Sequence, residues 1–449
     1  MKSFCTKFQK SILFIFSLML YIGNYLVFFL LLGIDNRQLL VLSRTSVVIT
    51  FSWIIVTYLL TAIYGKYDVG VRKSRPIITS LTLCAVINDA AAYLLLNIMN
   101  RNEDNNKTFK LEFAGVFLCI LIIHVLWIIF LTYLGNGFYF WLNEPLSALV
   151  VVSDPADEER LRRIIGVFHR RYRISAVMTC DSEGLSEAIA QSGTVFLYDL
   201  PIDVRTRLIN ECYRRKKSIH FNPEIADILI QNSRQSMFED TAFLVCEERA
   251  MTFEQRIIKR LMDIGISALA LIITSPILLI AAISIKLCDK GPVFFRQERA
   301  TLNGRTFRIF KFRTMRTDAG NRSVTKDDDR ITPVGRVLRK YRLDELPQFL
   351  NILSGEMSLV GPRPEMLENV REYTKDMPEF RYRLRMKAGL TGYAQIVGKY
   401  NTTSRDKLIL DLQYIESFSI LRDIQLLFQT VLVLLKAEDS TEGFKGGDG

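Results

Sequence analysis

The sequence predicts a membrane protein of mixed α and α/β class in three parts. These are four N-terminal transmembrane helices at 1–144, a Rossmann-like α/β domain without a dinucleotide fingerprint at 145–250, and a C-terminal monotopic domain with a re-entrant helical hairpin at 251–449. Apolar residues make up 49% of the 449 residues and crowd into the first third and one later block. Strand-like bursts alternate with helical stretches between them. The later apolar block carries a proline midway, which interrupts or kinks a helix.

Four apolar runs open the chain, and each approaches the ~20 residues that cross a bilayer. The first run is too long for a cleavable signal, and no small-residue cleavage site follows it. Lysines precede the first run and basic residues separate the second from the third, whereas the 101–112 loop mixes charges of both signs. By the positive-inside rule, both termini are expected in the cytoplasm. The runs lie at about 11–32, 47–64, 76–99 and 113–134.

The net charge and the positions of the cysteines and histidines limit the partners and the catalytic residues that can be expected. Lys and Arg number 58 against 47 Asp and Glu, and this net charge of +11 is typical of cytoplasmic loops that meet anionic headgroups. Nucleic acid is not an expected partner, because no helix-turn-helix, zinc-finger or RNP pattern is present. The 7 cysteines show no CxxC spacing, and none of the 3 histidines lies beyond residue 220. The C-terminal part is therefore expected to work without histidine.

The stretch at 145–250 alternates strand-like apolar bursts with polar, helix-like segments such as 156–171. This alternation predicts a parallel, doubly wound α/β domain. The turn after the first burst holds Asp154, Asp157 and Glu158 but no glycine, whereas a dinucleotide site needs glycines so that backbone N–H groups can approach a pyrophosphate. We expect no NAD binding, and a spacer or regulatory domain is the simplest interpretation. The bursts lie at 148–152, 174–178, 194–198, 218–221 and 242–246.

The apolar block at 264–288 is long enough to cross a bilayer but is interrupted at Ser275 and Pro276. Basic residues flank both of its ends, so both ends favour the cytoplasmic side. We interpret the block as a re-entrant helical hairpin, in which the Ser275 hydroxyl satisfies a carbonyl that the proline leaves free. A kinked spanning helix is the alternative.

Basic and aromatic residues interleave at 307–315, which suits a strand with one apolar face and one cationic face. On this interpretation Arg308, Lys311 and Arg313 face phosphate groups. A solvated basic strand at the level of the lipid headgroups explains the same pattern equally simply.

The segment at 338–353 carries the strongest chemical signal, because Pro347 fits the first turn of a helix. Asp344 and Glu345 then stand just ahead of a helix N-terminus, and Arg339 is among the cations close by. Adjacent carboxylates framed by cations can hold Mg²⁺ and a phosphate together, with Asp344 as the metal ligand. Ordinary acidic charge at a helix start is the alternative, and by pattern alone it is the commoner case.

Two turn-rich segments follow. Glycine and two prolines constrain Arg363 in the run GPRPE at 361–365, and a rigid arginine suits bidentate phosphate capture. A glycine-punctuated loop at 387–395 contains Thr391 and Gly392, which we take as further substrate-binding candidates. Turns of this kind are common, so each signal is weak alone.

The order of these motifs is specific, and the C-terminal part resembles the bacterial sugar transferase family, the monotopic phosphoglycosyl transferases. The helical start and the central domain look like the long form of that family, which primes exopolysaccharide, capsule or O-antigen synthesis. Ala388, Tyr393 and the pair Ala300-Thr301 stand where family members often carry Pro, Trp and Val-Gly, and these departures concern donor specificity. The resemblance rests on KRLMD at 259–263, the Ser275-Pro276 pair, GPVFFRQER at 291–299, KFRTM at 311–315, LDELPQFLNIL at 343–353, GPRPE and GLTGYAQ at 389–395.

The resemblance implies a two-step phosphoryl transfer at the cytoplasmic face of the bacterial inner membrane. Asp344 attacks the donor phosphate, expels UMP and holds a covalent phosphosugar, which undecaprenyl phosphate then accepts. Mg²⁺ and arginines neutralise the charge, and Glu345 assists as metal ligand or base. Implied partners are a UDP-sugar donor, the polyprenyl phosphate acceptor, inner-membrane lipids, downstream glycosyltransferases and a second copy in a homodimer.

Two other functions remain open from the sequence. One is a non-catalytic membrane scaffold or regulator of polysaccharide assembly, although Asp344, Glu345 and Arg363 are all intact. The other is a multi-spanning phosphosugar transferase without a covalent intermediate, a class that needs more crossings than are predicted here. The sugar is not specified; glucose, galactose and N-acetylhexosamine phosphates all fit.

Overall fold

The computed structural model describes residues 2–99, 111–247, 250–316, 330–398 and 403–435. The chain forms two compact units, Met1–Asn222 and Pro223–Gly449. Most of the mixed-charge loop at 101–112, which contributed to the predicted orientation, lies outside the described residues.

Long apolar helices dominate the first unit. After the short helix α1 (Lys2–Lys7), the long ones are α2 (Gln9–Asp35), α3 (Arg44–Tyr64), α4 (Ser74–Met99) and α5 (Ala114–Leu142). Their buried side chains pack in two clusters, while other large apolar side chains, such as Leu30 and Leu126, stay exposed as a lipid-facing surface requires. The four predicted runs are confirmed as helices, and each is long and apolar enough to span a membrane. The number of crossings stays a prediction.

A buried polar contact joins three of these helices. The Nδ1 atom of His124 lies 2.6 Å from Oδ2 of Asp89, and the indole of Trp53 donates to the other oxygen of that carboxylate at 3.3 Å. Both members of the His–Asp pair are fully buried. Ionisable groups at membrane depth face the bundle interior and pair with one another, as these do.

The remainder of the first unit contains the predicted parallel α/β arrangement. Between residues 146 and 221 four parallel strands pair in the order β2-β1-β3-β4. Alternate β1 side chains point to opposite faces, so Leu149 packs toward α7 and α8 while Val150 packs toward α6. The elements are β1 (Leu146–Val152), α6 (Glu158–Gly166), β2 (Tyr172–Thr179), α7 (Leu185–Gln191), β3 (Thr194–Tyr198), α8 (Ile202–Arg214) and β4 (Ser218–Phe221).

The fifth predicted burst, at 242–246, does not join that sheet. Instead β5 (Arg234–Phe238), which follows α9 (Ile225–Gln231), pairs antiparallel with β6 (Thr241–Val245). The two strands are joined by a tight turn that places Glu239 at φ 57°, and this short connection favours the local hairpin over a distant parallel partner.

The second compact unit begins at Pro223, ahead of the domain boundary predicted at residue 250. Ile228 is buried in the core of the second unit, and the Asn232 amide donates to the carbonyl of Glu416 at 3.2 Å. Arg405 forms an ion pair with Glu224 at 2.5 Å. These contacts are between residues far apart in sequence, which local patterning does not reveal.

The next element, α10 (Phe253–Asp289), is a single helix of 37 residues that runs through Pro276. The expected interruption of the helix at Ser275 and Pro276 is therefore wrong at the level of secondary structure. The physical reason is local, because the Ser275 hydroxyl donates to the carbonyl of Ile272 at 2.8 Å. That carbonyl lies four residues before the proline and lacks its usual N–H partner, so the serine compensates for the missing bond.

Both ends of α10 pack against the rest of the second unit, to which the helix belongs. Lys259 and Asp263 are buried near the start, and Ala281 and Ile285 near the end, where they join Phe312 and Leu338. Between these ends the helix exposes large apolar side chains, such as Ile272 at 71%. The path of α10 relative to the membrane stays a prediction.

The rest of the second unit surrounds an apolar core that includes Ile309, Ile352, Phe380 and Leu412. β7 pairs antiparallel with β8, and β9 pairs parallel with β10. The elements are β7 (Phe294–Ala300), β8 (Thr306–Phe312), α11 (Pro333–Lys340), α12 (Gln348–Ser354), β9 (Ser358–Val360), α13 (Leu367–Asp376), β10 (Gly389–Thr391), α14 (Tyr393–Val397), α15 (Ser404–Glu416) and α16 (Ile420–Leu435).

The strand predicted at 307–315 is confirmed over β8, but its single cationic face is wrong. Arg308 and Lys311 are three residues apart, so they project from opposite faces of the strand. Arg308 lies in solvent beside Glu298 at 3.4 Å, whereas Lys311 points toward the acid pair at 344–345.

Candidate active site

The acid pair lies in a short 3-10 helix, Leu343–Glu345, that leads directly into α12. Pro347 stands at the N-cap position of α12, so the prediction of a carboxylate pair just ahead of a helix start is confirmed. Arg342 adopts a left-handed conformation, φ 53°, which turns the chain sharply after α11. The side chain of Leu343 packs against the apolar cluster that α10 and α11 share, and this contact anchors the turn.

Asn351 fixes α12 against β8. Its side chain is fully buried; the amide oxygen accepts from the N–H of Phe310 at 2.8 Å, and the amide nitrogen donates to the carbonyl of Arg308 at 2.9 Å. A buried amide with both groups paired specifies one register between the two elements. That register brings Lys311 beside Glu345.

Glu345 is held by two cations. Its Oε1 lies 2.8 Å from Nζ of Lys311 and 3.1 Å from Nη2 of Arg363, and its side chain is only 17% exposed. Burial by itself would raise the pKa of Glu345, but Arg363 and Lys311 outweigh burial and hold the pKa well below its usual range. Glu345 is therefore ionised at neutral pH and binds the two cations.

Asp344 has a different environment, although it is the adjacent residue. No described residue forms a side-chain ion pair with its carboxylate within 4.0 Å. Burial, aided by the negative charge of Glu345, raises the pKa of Asp344 to about 6, against the opposing effect of Lys311 and Arg339. Two neighbouring carboxylates whose pKa values are driven apart are suited to different roles.

The Arg363 turn is built by close backbone packing between β9 and β10. The N–H of Gly361 donates to the carbonyl of Thr391 at 2.9 Å, and the N–H of Gly389 donates to that of Pro362 at 2.9 Å. A Cβ on Gly361, Gly389 or Gly392 would clash with the facing backbone. Thr391 and Gly392 thus shape the turn, and neither lines the pocket described below.

Residues at the start of α10 bind the backbone of the strand that leads into the same turn. Lys259 donates to the carbonyl of Val360 at 3.0 Å and forms a buried ion pair with Asp423. Asp263 accepts from the N–H of Leu359 at 2.9 Å. The KRLMD motif therefore connects the membrane-length helix to the strand that ends at the Arg363 turn.

Two other predicted phosphate ligands have different roles. Arg313 is almost fully buried in an ion pair with Asp289, the last residue of α10, so it anchors the helix exit. Arg339 donates through Nε to the Thr314 hydroxyl at 2.8 Å, while its charge acts on Asp344. The structure thus brings Lys311, Arg339 and Arg363 to the acid pair but leaves Arg313 outside it.

A pocket of about 260 Å³ opens beside Glu345. It contains three polar side chains that the sequence predictions omitted, those of Arg299, Gln348 and Gln395. Arg299 donates to the carbonyl of Pro364 at 3.3 Å. The sequence feature that could have pointed to Arg299 as a site residue is its position at the end of the GPVFFRQER run. The lining residues are Arg299, Ile309, Lys311, Glu345, Gln348, Arg363, Pro364, Gly389, Leu390 and Gln395.

The charges of this pocket suit a phosphorylated ligand. Three cations, Arg299, Lys311 and Arg363, line it against the single carboxylate of Glu345. Planar guanidinium groups match phosphate oxygens, and the Arg363 side chain is 47% exposed and within reach of solvent.

Few side chains in the described part of the chain are placed to bind a metal ion. Within the described ranges no cluster of three or more His, Cys, Asp or Glu side chains has metal-binding geometry. Mg²⁺ commonly binds through one or two carboxylates together with substrate phosphates and water. Asp344, whose carboxylate has no ion-pair partner among the described residues, fits that mode, whereas Glu345 is already engaged by two cations.

Comparison with known proteins matches residues 254–437 to the family described as bacterial sugar transferase. A UDP-glucose:undecaprenyl-phosphate glucose-1-phosphate transferase of Caulobacter vibrioides is 40% identical over 190 residues, which cover 40% of this chain and 71% of that protein. The exopolysaccharide production protein PSS of Rhizobium leguminosarum is 40% identical over 188 residues, covering 39% of this chain and 94% of that protein.

A longer relative from Aeromonas hydrophila is a UDP-N-acetylgalactosamine-undecaprenyl-phosphate N-acetylgalactosaminephosphotransferase. It is 41% identical over 184 residues, which cover 40% of this chain and 44% of that protein. The matched part of that relative is therefore less than half of its length.

Proposed function

This chain belongs to the bacterial sugar transferase family, and we propose that it transfers a sugar-1-phosphate from a UDP-sugar to undecaprenyl phosphate. The products are UMP and a polyprenyl-diphospho-sugar, the first membrane intermediate of a surface polysaccharide. One observation carries the proposal: beside a cationic pocket, Glu345 is engaged by two cations while the Asp344 carboxylate has no ion-pair partner among the described residues.

In the first step the ionised carboxylate of Asp344 attacks the phosphorus atom bonded to the sugar. A new carboxylate–phosphorus bond forms, the phosphoanhydride bond to UMP breaks, and UMP leaves with the electron pair. Lys311, Arg363 and Arg299 lie where they can neutralise charge on the phosphate groups. A carboxylate nucleophile is also consistent with a pocket that contains no histidine among its lining residues.

In the second step a phosphate oxygen of the polyprenyl phosphate attacks the same phosphorus atom. The bond to Asp344 breaks, the carboxylate is regenerated, and a new phosphoanhydride forms. Because one phosphoanhydride replaces another, no external energy source is needed. The low pKa of Glu345, held down by Arg363 and Lys311 against burial, makes Glu345 a poor proton acceptor. We therefore favour Glu345 as the residue that orients the two cations over Glu345 as a base.

Magnesium belongs to the proposal as an ion held by Asp344 and the donor phosphates. When bound, it would neutralise charge on the diphosphate of the donor. Removal of divalent ions with EDTA is expected to stop UMP release, and added Mg²⁺ should restore it. Full activity in EDTA would remove magnesium from the proposal.

We also propose that α10 enters the membrane and returns to the cytoplasmic face. Its two ends pack on the same compact unit, and basic residues flank both ends, while the segment between them exposes large apolar side chains. The bond from Ser275 to Ile272 lets the helix accommodate Pro276 without an unpaired carbonyl in the lipid. This arrangement holds the site at the interface, where a soluble donor and a lipid acceptor meet.

The test uses the purified full chain with a panel of UDP-sugars and undecaprenyl phosphate. We expect UMP release with at least one donor and transfer of the labelled sugar into organic-soluble product. A folded protein that releases no UMP with glucose, galactose or N-acetylhexosamine donors would instead favour the non-catalytic scaffold. The donor that gives the highest rate identifies the sugar.

A further inference from the structure

A buried arginine, Arg383, contacts the backbone of the turn that carries Arg363. Its Nη2 atom donates to the carbonyl of Arg363 at 2.8 Å, and the residue is only 3% exposed. The guanidinium also lies against the ring of Phe380, with 4.9 Å between the guanidinium carbon and the ring centroid. Arg383 is not among the pocket-lining residues.

Two carboxylates hold Arg383 in this position. Asp411 Oδ2 lies 2.7 Å from Nη2, and Glu365 Oε2 lies 3.6 Å from Nη1. Asp411 is 2% exposed, and its burial raises its pKa against the opposing charge of Arg383. A buried charge that lost its partner would be strongly destabilised, so the three side chains are expected to hold one arrangement.

We propose that Arg383 is a positioning residue, which holds the backbone of the 361–365 turn so that the Arg363 guanidinium meets Glu345 and the donor phosphate. The inference rests on the proposed function for the identity of the donor. A pocket of about 210 Å³ borders both arginines. The carbonyl of Arg363, bonded to Arg383, and its guanidinium, bonded to Glu345, are the two ends of one residue.

This chain of contacts connects Arg383 to donor binding. If Arg383 no longer binds the carbonyl of Arg363, the turn can shift and the Arg363 guanidinium can withdraw from Glu345 and from the pocket. The donor phosphate then loses one of the three cations that line the pocket.

The principal variant is Arg383→Lys in the full chain, because lysine keeps the charge but lacks the planar guanidinium that contacts both the Arg363 carbonyl and Asp411. We expect the donor KM to rise about tenfold, the equivalent of ~1.4 kcal/mol, with little change in kcat. A purely structural role would lower the melting temperature and reduce kcat, with the donor KM unchanged. That pattern would overturn the inference.

Asp411→Asn provides a second variant that leaves Arg383 in place. It removes the buried charge that holds the guanidinium, so the donor KM should rise by a smaller amount. Arg381→Lys is the matched control, because Arg381 is an exposed arginine in the same 3-10 helix, Pro378–Arg385. It should behave as the wild type. A rise in KM with Arg381→Lys equal to that with Arg383→Lys would overturn the assignment to Arg383.

Protection of the full chain by inorganic pyrophosphate against heating tests the inference without turnover. Arg383→Lys should weaken this protection about tenfold in pyrophosphate concentration, which is ~1.4 kcal/mol. If the wild type turned over no UDP-sugar but its protection depended on Arg383, the proposed function would fail and the positioning role would stand. Wild-type protection in the Arg383→Lys protein would overturn the positioning role.

Discussion

Nζ of Lys311 lies 2.8 Å from Oε1 of Glu345, a residue 34 positions later in the chain. Arg363 contacts the same oxygen. Of the two adjacent carboxylates, Glu345 is therefore bound by two cations, whereas Asp344 has no ion-pair partner among the described residues. The chemical assignment of Asp344 as nucleophile depends on that difference, because a nucleophile must have electron pairs available to the incoming phosphorus.

The first prediction concerns the nucleophile. Asp344→Asn preserves size and removes the attacking charge, so UMP release and lipid product should both fall by at least about a thousandfold, ~4 kcal/mol. Wild-type enzyme incubated with donor alone should release one UMP per chain and gain the mass of a sugar phosphate. Peptide mass spectrometry should map that mass to Asp344.

Glu345→Gln is the matched control for this experiment, since it changes the other acid of the pair. It should weaken the hold on Lys311 and Arg363 and slow the reaction, yet still allow the added mass on Asp344. Mass on Glu345 in the wild type, or substantial turnover by Asp344→Asn, would require a direct displacement instead.

The second prediction is the pH dependence of UMP release. Burial and Glu345 raise the pKa of Asp344 to about 6, so activity should fall as the pH drops through about 6 rather than near 4. Lys311→Met removes a charge that lowers this pKa and should move the acidic midpoint upward. Arg308→Met, on the opposite face of β8, should leave it in place. A midpoint near 4 in the wild type would contradict the environment assigned to Asp344.

The third prediction concerns stability. The pKa of Asp344 in the folded chain, about 6, exceeds the ordinary aspartate value of 3.8, so its ionised form disfavours folding above about pH 6 and has no such effect below about pH 4. Asp344→Asn should therefore raise the free energy of unfolding at pH 7.5 by at most about 3 kcal/mol. Thermal melts at pH 7.5 and pH 4 measure the difference. An equal gain at both pH values would point to a cause other than the carboxylate charge.

The fourth prediction tests the path of α10. Reporter tags after Glu254 and after Asp318, the latter outside the described residues, should both report the cytoplasm. Pro276→Leu removes the helix-kinking residue, so some molecules should place the second tag on the far side, with loss of activity. Ile273→Leu is the control, since it changes only an exposed apolar side chain. An extracytoplasmic second tag in the wild type would establish a spanning helix.

The fifth prediction concerns the smallest active chain. A protein that starts near Met251 retains the proposed site residues but lacks α9, whose Ile228 is buried in the core of the second unit. A protein that starts at Pro223 should therefore release UMP and melt at a higher temperature than one that starts at Met251. Ile228→Ala in the full chain should cost roughly 2–4 kcal/mol by the same reasoning. Equal melting temperatures would mean that α9 contributes little.

Several features of the fold and the site could be predicted because their causes lie close together in the chain. The apolar runs behind α2–α5, the alternation behind β1–β4 and the proline after Asp344 and Glu345 are all local patterns. The Ser275 hydroxyl was likewise expected to satisfy a freed carbonyl, and it does so at Ile272. The predicted place of the fifth burst in the parallel sheet and the shared face of Arg308 and Lys311 were wrong, because strand pairing and the two-residue period of a strand decide them.

The sequence by itself placed the chain among membrane proteins of this family and predicted Asp344 and Glu345 as the centre of its chemistry, since hydropathy, residue spacing and motif order carry that information. Only the tertiary structure decided which cation meets which carboxylate. Lys311 meets Glu345 because Asn351 locks α12 to β8, whereas Arg313, two residues further on, turns to Asp289. Arg363 meets Glu345 from a turn whose close backbone packing requires glycine at positions 361, 389 and 392. Arg383 donates a hydrogen bond to the carbonyl of that arginine. The strength of a charge pair depends on distance and burial, and both are properties of the folded chain.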